Sequence, residues 1–106
     1  MELIELFRII ILKIDLKGVN LGSCANYESL RQELGVNINS SLSGPRVGKW
    51  IGGRVKKQKI YLFFRVSDPP KAKKHILRLI GNYNMLSNAK IRIKEKRIRW
   101  KNHAFI

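Results

Sequence analysis

The groups in this sequence that can move protons or attack an electrophile are few and scattered. They are His75, His103, Cys24 and seven carboxylates spread over 106 residues. Neither histidine has a Cys, Asp or Glu at the spacing of a metal site or of a nucleophile with its base and orienting partner. Asp68 stands before Pro69 and Pro70, where it reads as a helix cap rather than an acid catalyst, and Cys24 reads as a small buried or loop residue. Without a pair of acids in register, general acid–base chemistry has no constellation to build on. No catalytic residue, metal, cofactor or small-molecule substrate is expected.

Binding is the chemistry that the residue types do support. The stretch Ser43-Gly44-Pro45-Arg46-Val47-Gly48-Lys49-Trp50-Ile51-Gly52-Gly53-Arg54 leads into Lys56, Lys57 and Lys59. It sets cations on a Gly-rich backbone that can come close to a phosphate. Lys49 follows a single glycine with no hydroxyl residue after it, so the stretch lacks the spacing of a nucleotide-binding P-loop, and no second acidic motif would hold magnesium. Trp50 in this cationic stretch is expected to stack on unpaired bases, while Tyr61 and Phe63 read equally well as core or as RNA contacts.

Charge segregation points the same way. Residues 1–42 hold 4 basic and 5 acidic groups, a net of −1, whereas residues 43–106 hold 18 and 2, a net of +16. A surface kept basic only for solubility usually mixes the signs, and here Asp68 and Glu95 alone interrupt the cations. Self-repulsion of this size is best tolerated beside a polyanion.

One cysteine excludes an internal disulfide and a cysteine zinc cluster. The run Ile9-Ile10-Ile11-Leu12 is bracketed by Glu5, Arg8, Lys13 and Asp15, too closely for a membrane span of roughly 20 apolar residues. Glu2 and Glu5 do not suit a secretory or mitochondrial presequence. Fourteen Ile, 13 Lys and 8 Asn, all with A/T-rich codons, fit an A/T-rich genome such as many mitochondrial ones, so an organelle-encoded origin is expected.

These residues must be positioned by one domain, residues 1–106, because the chain suffices for a single modest core. Residues 3–16 read as a strand, with strict alternation from Lys13 to Lys17. Asn26 reads as the cap of a short helix, Tyr27 to Leu34, that Gly35 stops. Val36 and Ile38 suggest a short strand, and Asn39 to Gly53, with five Gly or Pro residues, reads as a long loop. Lys59 to Val66 is a strand with Ile60, Leu62, Phe64 and Val66 on one face and Tyr61, Phe63 and Arg65 on the other. Ser67-Asp68-Pro69-Pro70 opens a second helix with Ala72, Ile76, Leu79 and Ile80 inward, which Gly81 caps. A last strand, Lys90 to Ile93, turns Ile91 and Ile93 inward, and a basic tail from Lys96 to Lys101 follows. The expected class is α+β, a mainly antiparallel sheet with two helices on one face, in the order strand-helix-strand-loop-strand-helix-strand.

At Arg46-Val47-Gly48-Lys49, with Gly52 and Gly53 behind it, the sequence resembles the Arg-Met-Gly-Lys-Gly-Lys-Gly loop of the sixteenth large-subunit ribosomal protein family, of bacterial and mitochondrial type. Lys59-Ile60-Tyr61-Leu62-Phe63-Phe64, then Asp68-Pro69-Pro70 and a helix, is similar to the strand, proline-containing turn and helix that come after that loop in the family. Here only Arg54 to Gln58 separate loop and strand, where the family has another strand. Leu42-Ser43-Gly44-Pro45-Arg46 also resembles the Val-Ser-Gly-Arg strand of the C-terminal domain of the third small-subunit ribosomal protein, whose later Arg-Val-Pro-Leu signature is missing. Both resemblances imply a divergent, shortened, mitochondrial-type member of the ribosome that binds ribosomal RNA.

The expectation is a structural ribosomal protein bracing ribosomal RNA through Arg46, Lys49, Trp50, Arg54, Lys56, Lys57 and Lys59. Arg92, Lys94, Arg97 and Arg99 form a second contact, and residues 1–42 face neighbouring ribosomal proteins. The competing expectation is a free-standing module that binds single-stranded RNA with sheet aromatics.

Overall fold

The computed structural model describes residues 4–20 and 26–101, with side chains described for 8–20 and 26–97. Cys24 and His103 lie outside these, as do the side chains of Arg99 and Trp100. Strand β1 (Ile4–Asp15) is followed by helix α1 (Tyr27–Ser43), the hairpin β2 (Gly48–Lys56) and β3 (Lys59–Val66), helix α2 (Pro69–Gly81), a single 3-10 turn (Asn84–Leu86) and β4 (Lys90–Lys101). The strands form one sheet in the order β2-β3-β1-β4, every neighbouring pair antiparallel. This is the split βαβ arrangement, in which each helix carries the chain between parallel strands with a third strand between them. The α+β class and the β-α-β-β-α-β order agree with the sequence reading.

One apolar cluster fills the space between sheet and helices. Ile10, Leu12 and Ile14 of β1 and Ile60, Leu62 and Phe64 of β3 are fully buried against Leu30, Leu34, Ile38 and Leu42 of α1 and Ala72 and Ile76 of α2. Ile91 and Ile93 of β4 stand opposite Ile14 and Leu12 and pack at its margin. Among the described residues no polar or charged residue is buried in this layer.

Two boundaries differ from the sequence reading. Helix α1 does not stop at Gly35 but runs eight residues further, through the stretch read as a strand at Val36–Ile38 and a loop from Asn39. Leu30, Leu34, Ile38 and Leu42 recur every fourth residue, and that stripe outweighs a single glycine. Gly35 is there for space: a Cβ on it would lie 2.5 Å from the Trp50 ring. The second strand is β2, so most of the expected long loop is regular structure, and only residues 44–47 remain as a turn. Its period of two is hidden by a β-bulge between Trp50 and Gly52, which shifts the register by one residue and leaves Ile51 exposed.

The caps follow the expected chemistry. The Ser29 amide donates to Asn26 Oδ1 at 2.8 Å, and the Lys71 amide to Asp68 Oδ1 at 3.2 Å. Helix α2 ends at Gly81 with Asn82 as its C-cap, one residue beyond the glycine expected there. The basic tail is not a tail: β4 continues to Lys101, paired with β1 along its whole length.

Candidate nucleic-acid interface

Because both helices cover one side of the sheet, the odd-numbered residues of β1 and β3 face the other way. Register extends that face across all four strands. One row is Arg54, Tyr61, Lys13 and Arg92, and the next is Gly52, Phe63, Ile11 and Lys94. Lys49, Arg65, Ile9 and Lys96 form a third row, and Lys56, Lys59, Asp15 and Lys90 a fourth. Among the described side chains the open face therefore carries ten cations and one carboxylate, Asp15. Its Oδ1 accepts from the Lys17 amide at 3.1 Å.

The middle of this face is apolar and partly shielded. Ile9, Ile11, Tyr61 and Phe63 are half-buried, while the cations at its margins, Lys49, Arg54, Lys56, Arg65, Arg92, Lys94 and Lys96, are exposed. A shallow depression is lined there by Ile11, Tyr61 and Phe63 with Lys13, Arg54, Arg92, Lys94 and Lys96 around them. The Arg54 guanidinium lies 5.3 Å from the centre of the Tyr61 ring, within cation–π range. Phe63 has Gly52 as its neighbour on β2, so no side chain stands beside its ring on that strand. An apolar floor ringed by cations can take bases on the floor and phosphates at the rim.

The expected site residues divide by face. Lys49, Arg54, Lys56, Lys59, Arg92 and Lys94 gather on the open side. Lys57 occupies the two-residue turn between β2 and β3 in a left-handed conformation, φ 56°. Arg46 lies in the turn between α1 and β2, also left-handed at φ 59°. Arg97 falls outside the cluster, since it is paired with Arg8 on the row that faces the helix side. Arg99 stands opposite Leu6 in the ladder, and its side chain lies outside the described residues.

Trp50 takes a position other than the cationic loop expected for it. It stands opposite Phe64 on the helix side, before the bulge, and is half-buried against Gly35. Its indole Nε1 donates to the Gly52 carbonyl at 2.8 Å, its amide donates to Asn39 Oδ1 at 2.8 Å, and Arg31 lies 5.9 Å over its ring. These contacts satisfy the indole internally and tie β2 to α1.

Sequence reasoning missed Lys13, Arg65, Lys90 and Lys96 as members of the set. The signal was present for Lys13, Lys90 and Lys96, which are in phase with Arg92 and Lys94 once β1 and β4 are paired. For Arg65 it lay in the alternation of β3, which puts it on the face of Tyr61 and Phe63.

The helix layer has a different character. Helix α1 presents Glu28, Gln32, Glu33, Val36 and Asn37 outward, and Arg31 pairs with Glu28 at 2.8 Å. Lys73 of α2 reaches Glu95 at 3.5 Å. His75 lies between the helices with Nδ1 3.5 Å from the Ser41 hydroxyl. No group of three His, Cys, Asp or Glu that could hold a metal occurs among the described residues, and none of their helices is long and apolar enough to cross a membrane.

Compared with known proteins, the chain matches no family model, no curated protein and no solved structure.

Proposed function

We propose that this chain is a structural RNA-binding protein of the ribosome, of mitochondrial type, that lays the open face of its sheet on folded ribosomal RNA. One observation carries the reading: among the described side chains ten cations and a single carboxylate share that face, on a chain of net charge +15. A surface of this kind neutralises phosphates over an area and braces an RNA fold, without needing a cleft. The Arg46 to Lys49 segment that resembles a ribosomal family loop borders the same face at its β2 end. The neutral outer side of α1, with Glu28, Glu33 and Val36, suits a neighbouring protein.

A second reading has its own support. Tyr61 and Phe63 sit on central strand β3 of a four-stranded sheet in the β-α-β-β-α-β order, the setting in which single-stranded RNA modules stack bases on sheet aromatics. Such a module works alone on short single strands.

Sedimentation of a native extract, with the chain followed by mass spectrometry at moderate salt, separates the two. Stoichiometric migration with one ribosomal subunit is expected, and recovery only in the light fractions selects the free-standing module. In purified form, replacing Lys90, Arg92 and Lys94 by Ala should lower the slope of log affinity against log salt by about 0.7 to 0.9 for each phosphate no longer neutralised. An unchanged slope removes the open face from the interface.

A further inference from the structure

Where β2 begins and β3 ends, a second depression opens at the end of the sheet. It is lined by four cations, Arg8, Arg46, Lys49 and Arg65, and by the hydroxyl residues Ser43 and Ser67, with no carboxylate among its lining residues. Three strands contribute to it: Arg8 and Gly48 both stand opposite Val66 on the helix side, and Lys49 stands opposite Arg65 on the open side. Like charges directly opposite each other across a ladder repel. Gly48 is required by close packing, since a Cβ on it would lie 2.9 Å from the Arg65 carbonyl, 3.0 Å from Val66 Cγ1 and 3.4 Å from Leu42 Cδ1.

Arg46 adds a second, independent feature. Its φ of 59° is a conformation that favours glycine, and the turn is held by hydrogen bonds on both sides. The Arg46 amide donates to the Ser43 carbonyl at 3.1 Å, the Ser67 hydroxyl donates to the Arg46 carbonyl at 3.2 Å, and the Ser67 amide donates to the Val47 carbonyl at 3.0 Å. An arginine at this position costs conformational energy and contributes a guanidinium, whose planar fork suits phosphate oxygens.

We propose that this end pocket is a phosphate-binding site, taking either a terminal phosphate monoester or an internal backbone phosphate of the RNA; it rests on the RNA-binding reading for the source of that phosphate. Arg46 in the turn, Arg8 on the helix side and Lys49 and Arg65 on the open side surround this end of the sheet with positive charge. It lies apart from the Tyr61 and Phe63 floor and would fix the direction and register of a strand crossing the sheet.

The test uses the full chain and two probes. Inorganic pyrophosphate, titrated while amide resonances are followed, should produce saturable shifts at Val47, Gly48 and Ser67. Arg46→Gly should weaken that binding about tenfold, the worth of one charge-assisted hydrogen bond, while leaving the thermal midpoint equal or higher because the left-handed turn is relieved. Lys49→Gln, which leaves the turn alone, should weaken it in the same direction. Non-saturating shifts spread over the open face, or unchanged pyrophosphate affinity in both variants, overturn the site.

A short oligouridylate with a 5′-phosphate and the same oligomer with a 5′-hydroxyl then identify the source. Tighter binding of the first that is abolished in Arg46→Gly assigns a terminal phosphate, and equal binding weakened by that substitution assigns an internal one. Full RNA binding by Arg46→Gly with an unchanged salt slope defeats the pocket and leaves the RNA reading standing. If wild-type protein binds no RNA, that reading falls, and the pyrophosphate titration still decides the pocket.

Discussion

The two faces of this sheet are made from alternate residues of the same strands, yet they obey different rules. On the helix side Ile60, Leu62, Phe64 and Val66 are buried, and no buried side-chain nitrogen or oxygen among the described residues lacks a partner. One position along, Lys59, Tyr61, Phe63 and Arg65 face outward into a field of like charge in which Asp15 is the one carboxylate among the described side chains. Packing dictates the first set, since an apolar cluster tolerates neither voids nor charge. The second set is free of that demand and can hold repelling neighbours such as Lys49 and Arg65, or Lys56 and Lys59, which lower stability slightly and raise the local potential for an anion. Stability and the proposed RNA binding are thus assigned to opposite sides of a single layer, one residue apart.

That separation is easiest to break at Phe63 and Phe64. Phe64→Ala, which empties a fully buried site, should cost about 3 to 5 kcal/mol in denaturant unfolding. Phe63→Ala, one position along the chain, should cost under about 1.5 kcal/mol and weaken single-stranded RNA binding by about 1 to 3 kcal/mol, the worth of one stacked base. Equal losses of stability at the two positions would show that the open face is also structural. The next largest effect is expected at Gly35→Ala. Helix propensity would favour the change by up to about 1 kcal/mol, but the new Cβ meets the Trp50 ring at 2.5 Å, so a net loss of about 1 to 3 kcal/mol is expected, recovered when Trp50→Leu is added. Recovery with RNA affinity intact would sharpen the assignment of Trp50 to the helix side. The smallest change is Lys57→Gly in the hairpin turn, which relieves a left-handed lysine and should raise stability by about 0.5 to 1 kcal/mol while removing one cation from the rim.

The parts of this fold that were legible in the sequence are those where one signal spoke without interference. The alternation of Lys59 to Val66 and of Lys90 to Ile93, and the Asn26 and Asp68 caps, are local patterns that tertiary structure leaves intact. Helix α1 and strand β2 are obscured at glycines: Gly35 punctuates the sequence but serves only to admit the Trp50 ring, and Gly48, Gly52 and Gly53 suggest a loop where the ladder has a bulge. A glycine required by a partner many residues away looks, in one dimension, like a glycine required by a turn. The site was half legible for a related reason. Its cations on β2 and β4 were recognisable as a basic stretch, but Lys13 joins them only through the pairing of β1 with β4, and Trp50 leaves them only through the bulge.

Strands β1 and β4 are the longest in the sheet, twelve residues each, paired at every position with nearly the whole described chain between them. Strand β1 also lies inside the sheet, so one of its edges stays open until β4 arrives. A chain synthesised from its N-terminus cannot complete this fold while β4 is still to be made. Its most apolar strand stays half-paired until β4 emerges, and closure waits on the least local strand pairing in the sheet. The nascent chain is therefore at its most aggregation-prone just before β4 is made, and an RNA surface already at hand when β4 emerges would meet the sheet at the moment its open face first exists.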